Sequence, residues 1–196
     1  MFHNIPEQIE ERMRYLEALD KKERSAGKPM LERLRQIPTD TGRFIAMLAA
    51  TAPEGIWLEI GTSGGFSTLW LALACRQIGR KLVTFELLEQ KVKLATETLQ
   101  EAGVKDMVEL VSGDAREHLM RYQNVSFCFL DAEKEHYLDC YEKLIPNMVT
   151  GGLLVADNVI SHKDQLKDMV NRALNDPRVD ALVVPIDRGE LVCRKL

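Results

Sequence analysis

From Ile56 onward the chain alternates short apolar runs with longer stretches of helical period, a rhythm that few folds can satisfy. The runs are IWLEI, KLVTFE, VELVSG, VSFCFLD and GLLVAD, each of strand length. Between them, Phe66 to Ile78, Leu88 to Ala102, Ala115 to Tyr122, Tyr137 to Met148 and Lys163 to Leu174 are long enough for right-handed helical crossovers. The expectation is an α/β, Rossmann-like doubly wound sheet, mostly parallel, with helices on both faces. At the end, VDALVVPI and ELVCRK flank the turn signal Asp187-Arg188-Gly189, which predicts a hairpin and an antiparallel edge.

The amino-terminal residues read differently. Ile9, Met13, Leu16 and Leu19 recur at steps of three and four, so one helix face is apolar and needs a cover, either the active site or a homodimer partner. Ser25 to Pro29 breaks this helix, and Thr39 or Asp40 is placed to cap another from Thr41 to about Ala50. One domain is expected over 1–196, with a helical cap at 1–52 and an α/β core at 53–196.

Composition excludes several classes. Apolar residues make up 45% and charged residues 29%, a globular balance. No apolar stretch approaches the roughly 20 residues of a membrane span, and MFHNIPEQIEERMRY lacks a secretory pattern, so a cytoplasmic address is expected. Cys75, Cys128, Cys140 and Cys193 form no C-x-x-C pair and read as reduced core thiols. The net charge of -4 argues against strong nucleic-acid binding, yet Arg12 to Arg35 carries eight basic residues against four acidic, a local +4 that reads as a solvated face or an anion-binding surface.

The first strand ends in LEIGTSGGFST, a glycine-rich bend entering a helix. Gly61-Thr62-Ser63-Gly64-Gly65 departs from the G-x-G-x-x-G dinucleotide pattern, and Phe66-Ser67-Thr68 lacks the lysine of a phosphate loop. Glu59 before the bend and Glu86 at the second strand end are expected to face the crevice, where carboxylates suit ribose hydroxyls and a ligand with ammonium and sulfonium charges. S-adenosylmethionine fits that description. Ser112-Gly113-Asp114-Ala115 reaches the same edge, where Asp114 or the Ala115 amide is placed to meet the adenine.

The fourth and fifth runs end in Asp131 and in Asp157-Asn158. On neighbouring strands about 4.8 Å apart these two carboxylates and one amide converge as hard oxygen donors, suited to Mg²⁺, with Mn²⁺ and Ca²⁺ as alternatives. Lys134, three residues past Asp131, reads equally as a surface lysine or as a general base beside a cation. The four histidines show no metal spacing, and Tyr137 with Tyr141 reads as helix packing.

From Ile37 to Leu196 the chain resembles the metal-dependent O-methyltransferases that include the catechol and caffeoyl-coenzyme A enzymes, through LEIGTSGGFSTLWLA, FELLEQ, DAEKEHYLDCYEKL, GGLLVADNV and DPRVDALVVPI with CRK, in that order. The resemblance implies seven strands in the order 3-2-1-4-5-7-6. It implies a cofactor site lined by Glu59, Gly61, Thr62, Ser63, Gly65, Ser67, Glu86, Leu87, Asp114, Ala115 and Asp131, a metal held by Asp131, Asp157 and Asn158, and catalysis by Lys134 with Asp131. Three departures touch this transfer: Ser63 for a common glycine, Ser161-His162 where an aromatic often follows, and Glu133 for aspartate. The tight turn at 187–189 also leaves no room for an added recognition loop.

The reading that follows is methyl transfer to a hydroxyl of a small catechol-like or phenolic acceptor. Its alternatives are a methyltransferase acting on a hydroxylated nucleoside in tRNA, motivated by the basic run, and a non-catalytic S-adenosylmethionine- or NAD-binding protein.

Overall fold

The computed structural model describes residues 1–196. Helices α1 (Glu7–Ser25) and α2 (Thr39–Thr51) precede β1 (Ile56–Ile60), α3 (Phe66–Ile78), β2 (Leu82–Glu86), α4 (Glu89–Glu101) and β3 (Val108–Ser112). There follow β4 (Val125–Leu130), α5 (Tyr137–Leu144), β5 (Met148–Ala156), α6 (Lys163–Leu174), β6 (Val179–Val184) and β7 (Glu190–Lys195). The sheet order is β3-β2-β1-β4-β5-β7-β6, as the resemblance implied. Five strands run parallel, and β7 pairs antiparallel with both β5 and β6. No helix is long and apolar enough to cross a membrane.

Strand alternation divides the core in two. Trp57, Phe127, Phe129 and Val155 point to the face covered by α1 to α4, while Leu58, Cys128, Leu130 and Leu154 point to the face covered by α5 and α6. The apolar face of α1 is covered within the chain: Ile9, Met13 and Leu16 are buried and the helix packs on α3 and α4. Its Arg12 is buried too, donating to Thr98 Oγ1 at 3.0 Å and Glu101 Oε2 at 2.7 Å. All four cysteines are buried and unbridged.

Four local expectations are corrected. Helix α2 begins at Thr39 after Pro38, and neither Thr39 nor Asp40 caps it. Instead Asp187 of the β6–β7 turn accepts from Thr41 N at 3.1 Å and Thr41 Oγ1 at 2.7 Å, satisfying a first-turn amide from across the molecule. The stretch Ala115 to Tyr122, which crosses from the sheet edge to its middle, forms two 3₁₀ turns, Ala115–Glu117 and Leu119–Arg121, with Asp114 accepting from Arg116 N. Helix α5 stops at Leu144 because Ile145-Pro146-Asn147 tightens into a 3₁₀ turn. Strand β5 starts at Met148, with Gly151 at φ +83° near the register shift between Val125 and Phe127.

Asp176, fully buried, ties α5, α6 and β6 together. It accepts from Tyr141 OH at 2.9 Å, Arg178 N at 2.9 Å and Arg178 Nη2 at 2.6 Å. The Arg178 guanidinium, outweighing burial, holds this carboxyl well below its usual range. A depressed folded-state value stabilises the fold above the unfolded value near ~4, and that contribution is lost as pH falls toward the folded value. Asp176→Asn is expected to cost about 2 kcal/mol at pH 7, with the gap to wild type narrowing between pH 5 and pH 3 in urea unfolding. An equal gap at both pH values would refute the ionic origin.

Candidate active site

A cavity of about 590 Å³ lies at the carboxyl ends of β1 to β5. Its floor is the loop after β1, where three features force a tight bend. Gly61 has φ +104°, and a β-carbon there would lie 2.2 Å from the Asp131 carbonyl oxygen, so glycine alone lets the tips of β1 and β4 touch. Gly61 N and Thr62 N both donate to Phe85 O, at 3.0 and 3.1 Å. Ser63 adopts φ +50° and donates its amide to Glu86 Oε2 at 2.7 Å.

Ser67, Glu86, Leu87, Asp114, Ala115 and Asp131 line the cavity with Gly61, Thr62 and Ser63. Glu86 also accepts from Leu88 N at 2.8 Å, so both oxygens are oriented by backbone and keep lone pairs for a ligand. Asp114 is gripped by Arg116 through Nε and Nη2, and that guanidinium lowers its carboxyl to about 2. Two expected residues do not face the cavity. Glu59 shares the strand face of Trp57 and is fully buried beneath α3, accepting from Thr68 Oγ1 at 2.5 Å and Thr84 Oγ1 at 2.6 Å; burial raises its pKa. With the Thr62–Thr84 hydroxyl pair at 2.5 Å it braces the bend from below. Gly65, at φ +94°, starts α3 and faces Thr98 of α4.

At the other end of the cavity Asp131 Oδ1 is the hub. It accepts from Asn158 Nδ2 at 2.8 Å and Lys134 Nζ at 3.2 Å. Lys134 Nζ also donates to Ala132 O at 3.1 Å and to Tyr137 OH at 2.9 Å, and the Tyr137 hydroxyl lies 3.2 Å from Asp157 O. Asp157 sits below the wall, 1% exposed, with Oδ1 on Asn158 N and Oδ2 buried without a hydrogen-bond partner. Burial first, then the charge of Asp131, raises its carboxyl to about 6. Beside it Glu190 is fully buried with neither oxygen hydrogen-bonded, and burial, with the adjacent Asp157 charge, pushes its carboxyl up as well. No three His, Cys, Asp or Glu side chains form a ligand cluster. The expected set has only two carboxylates plus an amide, and its donor chemistry and the orphaned Asp157 Oδ2 fit a hard cation.

Sequence reasoning missed three participants. Tyr137 packs as expected, yet its hydroxyl orients Lys134. Glu190 carried no signal beyond opening β7. The segment Met30 to Ile37 roofs the cavity: Ser63 Oγ donates to Leu34 O at 2.7 Å, and Arg35 bonds Glu133. Its sequence signal was the cluster Met30, Leu31, Leu34 and Ile37 held between Pro29 and Pro38.

Parallel strands with a glycine bend at β1, acids at the next strand tips and an antiparallel final hairpin define a Rossmann-like methyltransferase. The O-methyltransferase family model matches residues 8–196, so the chain belongs to that family. It is 38% identical over 126 residues to a catechol O-methyltransferase of Mycobacterium tuberculosis (strain ATCC 25618 / H37Rv), the match spanning 63% of this chain and 57% of that enzyme. It is 29% identical over 181 residues to caffeoyl-CoA O-methyltransferase 1 of Eucalyptus globulus, covering 80% and 73%. Among solved structures, cofactor-bound Rv0187 from MTB superimposes with a TM-score of 0.77 at 28% identity, over 92% of this chain and 89% of that one.

Proposed function

We propose that the chain transfers a methyl group from S-adenosylmethionine to a hydroxyl of a small catechol-like or phenolic acceptor, assisted by a divalent cation. The carrying observation is one cavity with two chemically distinct ends: a glycine bend with Glu86 and Leu87, and the Asp131–Asn158–Lys134 cluster. The names of the relatives support the same reaction class and acceptor chemistry. Asp131, Asp157 and Asn158 would hold the cation, which when bound supplies a Lewis acid to the acceptor oxygens.

The residues of the chain do the rest. The cavity brings methyl donor and acceptor together, which removes most of the entropic barrier. As the acceptor oxygen bonds the methyl carbon, the carbon–sulfur bond breaks and its electron pair stays on sulfur. Lys134 Nζ, which Tyr137 OH and Ala132 O keep aimed at Asp131, first releases a proton to solvent and then takes the proton of the acceptor hydroxyl. With catechol as acceptor, excess EDTA is expected to lower turnover at least ~100-fold and Mg²⁺ to restore it. Full turnover in chelator removes the cation from the scheme, and no methylated catechol with Mg²⁺ removes the acceptor class.

Half of the basic run that motivates the tRNA reading is paired within the chain, while Arg14, Lys21 and Lys22 stay exposed. Arg12 bonds Glu101, Arg24 bonds Asp20, Lys28 bonds Glu23 and Arg35 bonds Glu133.

A further inference from the structure

Three cations lining the cavity form no ion pair, Arg33, Lys91 and Arg188; Arg33 donates to Lys28 O and Lys91 lies near Glu86, which leaves Arg188 for the acceptor end. Lys134 is paired with Asp131 and Arg35 with Glu133. Arg188, on the cavity wall beside His162, forms no ion pair, and its side chain donates no hydrogen bond. Its sequence neighbour Asp187, the nearest candidate partner along the chain, is committed to Thr41 on α2.

The backbone that carries Arg188 is fixed. Arg188 O accepts from Ile160 N and Ser161 N, each at 3.0 Å, and Gly189 N donates to Ile186 O at 2.7 Å. His162 is tethered as well, with Nδ1 2.9 Å from Ser161 Oγ and Nε2 left without a partner. A guanidinium carried on a fixed backbone beside a free imidazole nitrogen matches the two oxygens of a carboxylate.

We infer that the preferred acceptor is a hydroxylated aromatic carboxylate, with its anionic substituent held by Arg188 and its reacting hydroxyl directed to Asp131 and Lys134. This rests on the proposed function, since it names the substrate class of the same site. Arg188 is a specificity residue and takes no part in bond exchange.

The test compares 3,4-dihydroxybenzoate, catechol and dopamine as acceptors with S-adenosylmethionine and Mg²⁺. Wild type is expected to favour 3,4-dihydroxybenzoate over catechol by about tenfold or more in kcat/KM, the effect falling mainly on KM. Arg188→Gln collapses that ratio, Arg188→Lys restores part of it, and Arg188→Glu shifts preference toward dopamine. A ratio near one in wild type, or an unchanged ratio in Arg188→Gln, overturns the inference while leaving O-methylation standing.

Calorimetry separates the two failures. The protein saturated with S-adenosylhomocysteine is titrated with 3,4-dihydroxybenzoate, for wild type and Arg188→Gln. Binding lost in the variant without turnover of any acceptor supports the anion site and sinks the proposed reaction. Equal binding by both proteins sinks the anion site.

Discussion

Asp131→Ala is expected to reduce methyl transfer by at least ~10²-fold, chiefly in kcat, because this one carboxylate orients both Lys134 Nζ and the Asn158 amide. Lys134 is only 12% exposed, so removing its partner leaves a charge that must find water or another acceptor. The ammonium would drift toward Ala132 O and Tyr137 OH, which it already touches. The proton acceptor and the proposed cation site are therefore lost together. Circular dichroism and single-turnover rates separate this from unfolding, and a folded variant within tenfold of wild-type kcat would disprove the hub role.

Gly61→Ala is expected to be the most damaging single-atom change in the cavity floor. The added carbon would sit 2.2 Å from a backbone oxygen of Asp131, which cannot rotate away, and φ +104° strains any residue but glycine. Overlap and strain together should cost about 3 kcal/mol, or a fall in Tm of roughly 10 °C for a chain of this size. Because relief requires β1 and β4 to part, cofactor affinity and turnover should fall with stability. Gly79→Ala, at φ +70° with open space around it, isolates strain from overlap and should cost only about 1 kcal/mol. Equal losses at both positions would show that the close approach carries no extra energy.

The strands were legible because each is a short apolar run and a sheet covered on both sides demands just that. Strand order came with the family resemblance, since spacing alone left it open. Asp131 and Asn158 were legible as neighbours because strand-end residues on adjacent strands must meet, whereas Lys134 read equally as a surface lysine until the family resemblance favoured catalysis. Glu59 was misjudged where parity within its strand held the answer: Trp57 and Glu59 share a face, and a face covered by α3 cannot also open to a crevice. The roof from Met30 to Ile37 and the pairing of Asp187 with Thr41 join residues far apart in sequence, through side chains whose partners no local pattern announces.

The contact between Asp187 and Thr41 spans 146 positions. During synthesis, helix α2 leaves the ribosome before the acceptor of its Thr41 amide exists. Its acceptor is made 146 residues later, in the turn of the β6–β7 hairpin. The leading part of this protein therefore stays provisional until the trailing part arrives, and the order of translation runs opposite to the order in which that helix is finished.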